Sequence, residues 1–187
     1  MSTGPVPVYL GLGSNVGDRK ANLDRAINFL SQRLHVERVS SIYDTTPEIN
    51  PDQPRFLNMV ILARTTLEPQ GLLSLLKGIE SKIGRVPSTP YSPRPMDIDI
   101  LFYGHETLNS PALTIPHSRI PERAFVLVPL SEIAPEFVHP VSGKTVKQML
   151  ADLKSGVQGV FKFTQTLEGE APGTAGEEIK PNVPDNG

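Results

Sequence analysis

The residues best equipped for chemistry lie in Met96-Asp97-Ile98-Asp99-Ile100. Apolar and acidic residues alternate strictly here, which predicts a half-buried strand with both carboxylates on one face and Met96, Ile98 and Ile100 on the other. Two such charges roughly 6 to 7 Å apart repel by about 2 to 3 kcal/mol at an effective dielectric near 20, so the pair needs cations or solvent to persist. Two hard oxygen donors on one rigid edge suit Mg²⁺, which takes a few carboxylates, several waters and the oxygens of a substrate phosphate. The alternative for an isolated Asp-x-Asp is a solvated strand face. Its neighbours favour the metal: Arg94 precedes Asp97 by three residues in a proline-stiffened loop, and Arg85, His117, Arg119 and Arg123 fall in nearby irregular segments. An acid pair beside guanidinium forks is what polyphosphate chemistry requires, the forks stabilising charge on the transferred and leaving groups.

Other segments offer weaker signals. Gly11-Leu12-Gly13-Ser14-Asn15-Val16-Gly17 permits close backbone approach to a ligand at a strand end, but it has neither the spacing of a dinucleotide fingerprint nor the Gly-Lys-Ser/Thr ending of a phosphate loop. Thr45, Phe56, Asn58 and Phe125 could form a flat pocket, since rings stack and an amide offers both a donor and an acceptor; each alone also suits a core or turn position. His35, His105 and His139 lack ligand-like spacing, which leaves His117, beside Pro116, as the histidine of interest.

The elements that must position these groups alternate along the chain. Val6, Val8, Leu10 and Leu12 predict a strand ending in the Gly13 to Asp18 turn, with Asp18 capping a helix from 19 to 34. Val36 to Tyr43 reads as a strand, 44 to 54 as a long loop, and 56 to 65 as a third strand. Pro69 opens a helix that places Leu72, Leu73, Leu76, Ile79 and Ile83 on one face, and Gly84 closes it. A second proline-rich loop, 85 to 95, leads to the strand at 96 to 103, with a short return strand at 106 to 108. A helix over 121 to 133 and a short one capped by Thr145 follow. The order β-α-β-β-α-β predicts an α+β fold, a ferredoxin-like α/β sandwich whose mainly antiparallel sheet carries helices on both faces.

The 187 residues hold 18 Lys and Arg against 20 Asp and Glu and no Cys. That excludes disulfides, thiolate metal sites and cysteine nucleophiles, and points to a cytoplasmic enzyme. The last 22 residues, 166 to 187, carry five acidic residues against the single Lys180, a net charge of −4. They predict a disordered tail after one domain at 1 to 165, itself at +2. The net charge of −2 gives no global field for nucleic acid, and no run reaches the roughly 20 apolar residues that cross a bilayer, so neither nucleic acid nor membrane is expected as a partner.

Tyr91-Ser92-Pro93-Arg94-Pro95-Met96-Asp97-Ile98-Asp99-Ile100-Leu101 resembles the hallmark of the 6-hydroxymethyl-7,8-dihydropterin pyrophosphokinases of folate biosynthesis. Gly11 to Asn15, Tyr43 to Pro47, Asp52 to Asn58, Glu80 to Arg85, Thr114 to His117 and Arg123 to Phe125 occur in the family's order, so the resemblance spans about residues 6 to 140. It implies transfer of the β,γ-pyrophosphoryl group of ATP to the hydroxymethyl group of a reduced pterin, releasing AMP, with two Mg²⁺ ions; a monomer is the separate expectation. By the same resemblance Asp97 and Asp99 hold the metal, and Arg85 and Arg94 handle the triphosphate. Glu80, Tyr91, Ile98, His117 and Arg123 line the ATP, while Thr45, Phe56, Asn58 and Phe125 form the pterin pocket.

Some positions depart from the family's pattern. The loop before Arg94 reads Pro87-Ser88-Thr89-Pro90 without basic residues, Tyr91 stands where Trp is common, Ser92 where Gly is common and Phe56 where Tyr is common. Ala112 and Ser118 replace an Arg and a Tyr that help hold ATP. Weaker ATP affinity than in fully basic relatives is the expectation. The competing readings are another Mg²⁺-dependent phosphotransferase, which would yield ADP, a catalytically silent pterin-binding relative, and an RNA-binding module. The last suits poorly a chain with 6% aromatic residues and acids on its clearest strand.

Overall fold

The computed structural model describes residues 4–48, 50–84, 93–154, 156–157 and 159–164. Arg85, Tyr91, the loop between them and the acidic tail from 166 lie outside the described residues.

The first strand, β1 (Val6–Ser14), runs into helix α1 (Arg19–Ser31), whose first turn is capped by the Asp18 carboxylate accepting from the Ala21 N–H at 3.0 Å. The helix ends three residues short of the expected 34, and Leu34 is buried beyond its end. The expected strand at 36–43 is two strands, β2 (His35–Val39) and β3 (Tyr43–Thr45), and both pair with β4 (Phe56–Thr65). Ser40 explains the break: its N–H reaches the Val60 carbonyl at 2.9 Å while its hydroxyl accepts from the Val60 N–H at 2.9 Å, so a side chain replaces one rung of the ladder. The expected loop at 44–54 therefore begins later, after Thr45.

Helix α2 (Pro69–Ile83) starts on its proline and stops at Gly84, whose φ of 113° is a left-handed conformation that favours glycine. Strand β5 (Asp97–Tyr103) follows the buried Met96. The expected return strand at 106–108 is shifted to β6 (Leu108–Asn109), which pairs with β7 (Thr114–Ile115). The expected helix at 121–133 is a 3-10 turn at Ile120–Glu122 and then α3 (Ala124–Ile133). Thr145 caps α4 (Val146–Ala151) in a reciprocal box with Gln148, and β8 (Val160–Lys162), which no sequence signal indicated, pairs with β3.

Among the described residues these strands form a six-stranded antiparallel sheet in the order β5-β1-β4-β3-β8, with β2 also beside β4. Strand alternation sends Val8, Leu10, Leu12, Ile98 and Ile100 to the face covered by Leu23, Ala26 and Leu30 of α1 and Leu72, Leu76 and Ile79 of α2. Tyr9, Val60, Leu101 and Phe102 leave the other face and pack against Val126, Leu127 and Leu130 of α3 and Val146 and Met149 of α4. Helices thus cover both faces, the ferredoxin-like α+β plan.

Candidate active site

The antiparallel register decides what meets at one end of the sheet. Gly13 lies between Asp97 of β5 and Asn58 of β4, and Gly11 between Asp99 and Val60. Both carboxylates therefore leave β5 on the α3 side, over two glycines that add no side chain. Gly13 answers to a close approach: a Cβ there would stand 2.5 Å from the Asn58 Oδ1. Together with Phe56, Thr45, Arg94, Arg123 and Phe125 these residues line a cavity of about 170 Å³.

Asn15, only 1% exposed, holds the rim in place. Its side-chain oxygen accepts from the Arg94 N–H at 2.7 Å, its backbone N–H donates to the Arg94 carbonyl at 3.1 Å, and its amide donates to Gln53 Oε1 at 3.2 Å and the Pro54 carbonyl at 3.3 Å. Two loops distant in sequence are thereby fixed to the end of β1. Arg94 is then placed with Nη1 at 3.4 Å from Asp97 Oδ1. Deeper in the cavity, Asn58 donates to the Thr45 hydroxyl at 2.7 Å, which orients the amide.

The acid pair is electrostatically crowded. Burial first, then the Asp97 charge and the more distant Glu80, raise the Asp99 carboxyl to about 7, against the opposing pull of Arg123 and Lys77. A site whose burial and paired charges disfavour the ionised form of its own carboxyl is one that a cation would relieve. Two hard oxygen donors on one strand, open to the cavity, fit Mg²⁺ with its remaining positions filled by water and phosphate oxygens. Among the described residues no three His, Cys, Asp or Glu side chains cluster as a closed metal cage.

On the far wall Arg123 lies with its guanidinium 5.3 Å from the centre of the Phe125 ring. Arg119 and Arg123 both pair with Glu48 from the loop after β3. His117 follows the cis peptide Ile115–Pro116 and is tied by its backbone N–H to the Leu101 carbonyl at 3.0 Å. Burial and the neighbouring Arg123 push its imidazole below the ordinary value, Asp97 opposing, so it is neutral at physiological pH.

Eight expected site residues line this cavity: Thr45, Phe56, Asn58, Arg94, Asp97, Asp99, Arg123 and Phe125. Ile98 is elsewhere, its side chain in the core on the opposite face, so only its backbone is available to a ligand. Glu80 is a buried residue of α2 with Lys77 3.7 Å away. Arg85 and Tyr91 are outside the described residues. Sequence reasoning left out Thr46, Pro47, Glu48, Asn50 and Gln53, all on the cavity wall, and the Asn15 clamp. The Asp52-Gln53-Pro54 stretch was the available signal for Gln53; for Glu48 and the Asn15 clamp the sequence held none, since their partners Arg119 and Arg94 lie far along the chain.

An antiparallel, ferredoxin-like sheet with an arginine-rimmed carboxylate pair beside an amide and two phenyl rings defines a class: an α/β protein that brings a charged ligand and a flat one together. A family model described as 7,8-dihydro-6-hydroxymethylpterin-pyrophosphokinase matches residues 9–135. The chain is 43% identical over 160 residues to the 2-amino-4-hydroxy-6-hydroxymethyldihydropteridine pyrophosphokinase of Bacillus subtilis, covering 84% of this chain and 96% of that one. It is 41% identical over 141 residues to the protein of the same name from Aquifex aeolicus, covering 75% and 88%. A mitochondrial folate synthesis bifunctional protein of pea is 47% identical over 127 residues, 67% of this chain, which spans only 25% of the pea protein's length. A solved Plasmodium falciparum HPPK-DHPS structure shares the fold, with a TM-score of 0.66 at 17% identity over 79% of this chain and 45% of that chain. The chain belongs to the 7,8-dihydro-6-hydroxymethylpterin-pyrophosphokinase family. Its activity is that of a pyrophosphokinase in folate biosynthesis.

Proposed function

We propose that the donor is ATP and that its β,γ-pyrophosphoryl group passes as a unit to 6-hydroxymethyl-7,8-dihydropterin, releasing AMP. The observation that supports this most strongly is the single cavity in which the Asp97 and Asp99 carboxylates share walls with the Asn58–Thr45 pair and the Phe56 and Phe125 rings. The pterin lies against the two rings, while the oriented Asn58 amide offers an acceptor and a donor to its edge. Its hydroxymethyl oxygen then bonds to the β-phosphorus. The bond from that phosphorus to the oxygen bridging the α-phosphate breaks, that oxygen leaves with AMP, and the hydroxyl proton passes to solvent.

Asp97 and Asp99 would hold two Mg²⁺ ions, which when bound would offset the negative charge of the phosphates. Arg94, held through Asn15, directs its guanidinium at the same region and stabilises charge as the bond breaks, and Arg123 and the neutral His117 contact phosphate oxygens. Arg85, Tyr91 and Glu80 are assigned to the ATP on resemblance, and Ile98 through its backbone. No described group needs to act as a covalent nucleophile; alignment and charge stabilisation carry the step.

We read the protein as a monomer, and as cytoplasmic from its lack of cysteine; the pea relative is named as mitochondrial. Among the described residues no helix is long and apolar enough to cross a membrane. Incubation with ATP, Mg²⁺ and the pterin, followed by separation of the nucleotides, tests the reading. AMP is the expected product, and ADP would establish a simple phosphotransferase instead.

A further inference from the structure

The loop between β3 and β4 places an acidic side chain where the proposed site calls for an anion. Glu48 lines the cavity, and its carboxylate engages Arg123 of the cavity wall and the neighbouring Arg119, which stands just outside that wall. Arg119 Nη2 stands 2.7 Å from Oε1 and its Nη1 3.4 Å from Oε2, while Arg123 Nη2 stands 3.2 Å from Oε2 and its Nε 3.5 Å from Oε1. The carboxylate thus satisfies two guanidinium forks at once, the geometry in which a phosphate group would bind the same pair. The side chains are 29% exposed for Glu48, 36% for Arg119 and 16% for Arg123, so the contacts are only partly screened by solvent.

We propose that Glu48 is a built-in competitor for the nucleotide's phosphates and so a determinant of ATP affinity, holding Arg119 and Arg123 until the polyphosphate displaces it. This rests on the ATP reading of the site. A tethered carboxylate acts at a high effective concentration, so binding must first break its two ion pairs. Its charge has the sign of the triphosphate, and while it stays on the wall it repels the incoming group. Glu48 also belongs to the segment that carries Thr45, Thr46 and Pro47 into the cavity, so its release frees the wall on the pterin side.

The test is equilibrium titration of the full chain with a non-hydrolysable, Mg²⁺-loaded ATP analogue, alongside adenosine as a probe without phosphates. Glu48→Gln removes the charge and keeps the shape. Its Kd for the analogue is expected to fall by about three- to ten-fold, the size of two partly exposed ion pairs no longer opposing binding. Glu48→Asp, which retains the carboxylate, stays near the wild type, and adenosine binds all variants alike. In turnover the KM for ATP falls in Glu48→Gln while kcat holds, a split that loss of mere structural support would not produce. Glu48→Ala removes the charge by another route and ranks with Glu48→Gln. Wild-type binding of the analogue with equal or weaker binding by both neutral variants overturns the competitor role alone. Failure of the wild type to bind the analogue overturns the ATP reading and this inference with it.

Discussion

On the α1 and α2 side of the sheet, side chains from β1, β4 and β5 meet helical leucines and isoleucines along the strands and close completely. On the other side α3 and α4 close only one end, over Tyr9, Val60, Leu101 and Phe102. At the other end the inward positions are Gly11, Gly13, Asn58, Asp97 and Asp99, and a cavity remains. The same strands supply both faces, so the difference is set by alternate residues. Where apolar side chains alternate with apolar ones, the sheet packs; where they alternate with glycine, amide and carboxylate, it leaves a polar cleft. A substitution on the closed face should therefore be felt as stability, and one in the cleft as chemistry.

The largest effect is expected from Asp97→Ala, which removes half of the acid pair and Arg94's ion-pair partner. The fold should persist, since repulsion with Asp99 is relieved. AMP formation should fall by about 10²-fold or more, as should that of Arg94→Ala, the size seen when one preorganised charge is lost from a reacting centre. Near-normal turnover with unaltered circular dichroism would break the comparison. The converse variant is Leu76→Ala on the closed face. It should cost about 2 to 5 kcal/mol in denaturant unfolding while leaving the KM values of the folded fraction unchanged.

Gly13→Ala sharpens the contrast within one strand. The added methyl would meet the Asn58 Oδ1 at 2.5 Å, so the amide must move. The KM for the pterin should rise by about ten-fold, with a smaller change for ATP. Smaller again is the deficit in ATP affinity expected from Pro87-Ser88-Thr89-Pro90, Ala112 and Ser118. Direct titration should give a Kd above that of relatives with basic residues in that loop, and equality would remove those positions from the account.

The smallest effect lies away from the cleft, at the seam between α3 and the break in the second strand. Partial burial tends to raise the Glu132 carboxyl, but hydrogen bonds from the Tyr43 hydroxyl and from the Ser41 N–H and hydroxyl outweigh it, and the group lies below its ordinary value. The Tyr43 phenol is correspondingly pushed up to about 12, by burial and then by Glu132. A depressed carboxylate contributes stability that is present above the unfolded value near 4.5 and is lost as pH falls through the folded one. Glu132→Gln should flatten that acid limb of the stability profile without changing turnover at neutral pH.

The legible parts of the fold were those whose signal is local. Strict alternation from Met96 to Ile100 gave β5 and the shared face of its two acids, and 3.6-residue spacing with Pro69 and Gly84 gave α2 to the residue. Strand β8 was hidden because it has three residues and pairs with β3 from far along the sequence, and β3 because it too has three residues and opens the loop that joins it to β4. The division of β2 from β3 depends on one serine hydroxyl standing in for a backbone group, which no propensity encodes. The acid pair, Asn58 and the rings could be named from residue types and family resemblance. Asn15 and Glu48 could not, because the role of each lies in partners tens of residues away.

Whether the polar end of the sheet transfers a pyrophosphoryl group with Asp97 and Asp99 is best asked with ATP labelled separately at the β- and γ-phosphorus. Both labels should enter the pterin product in equal amounts with the wild-type chain, and neither should do so with Asp97→Ala. Transfer of the γ label alone, or equal transfer by the variant, would contradict the assignment of that cleft.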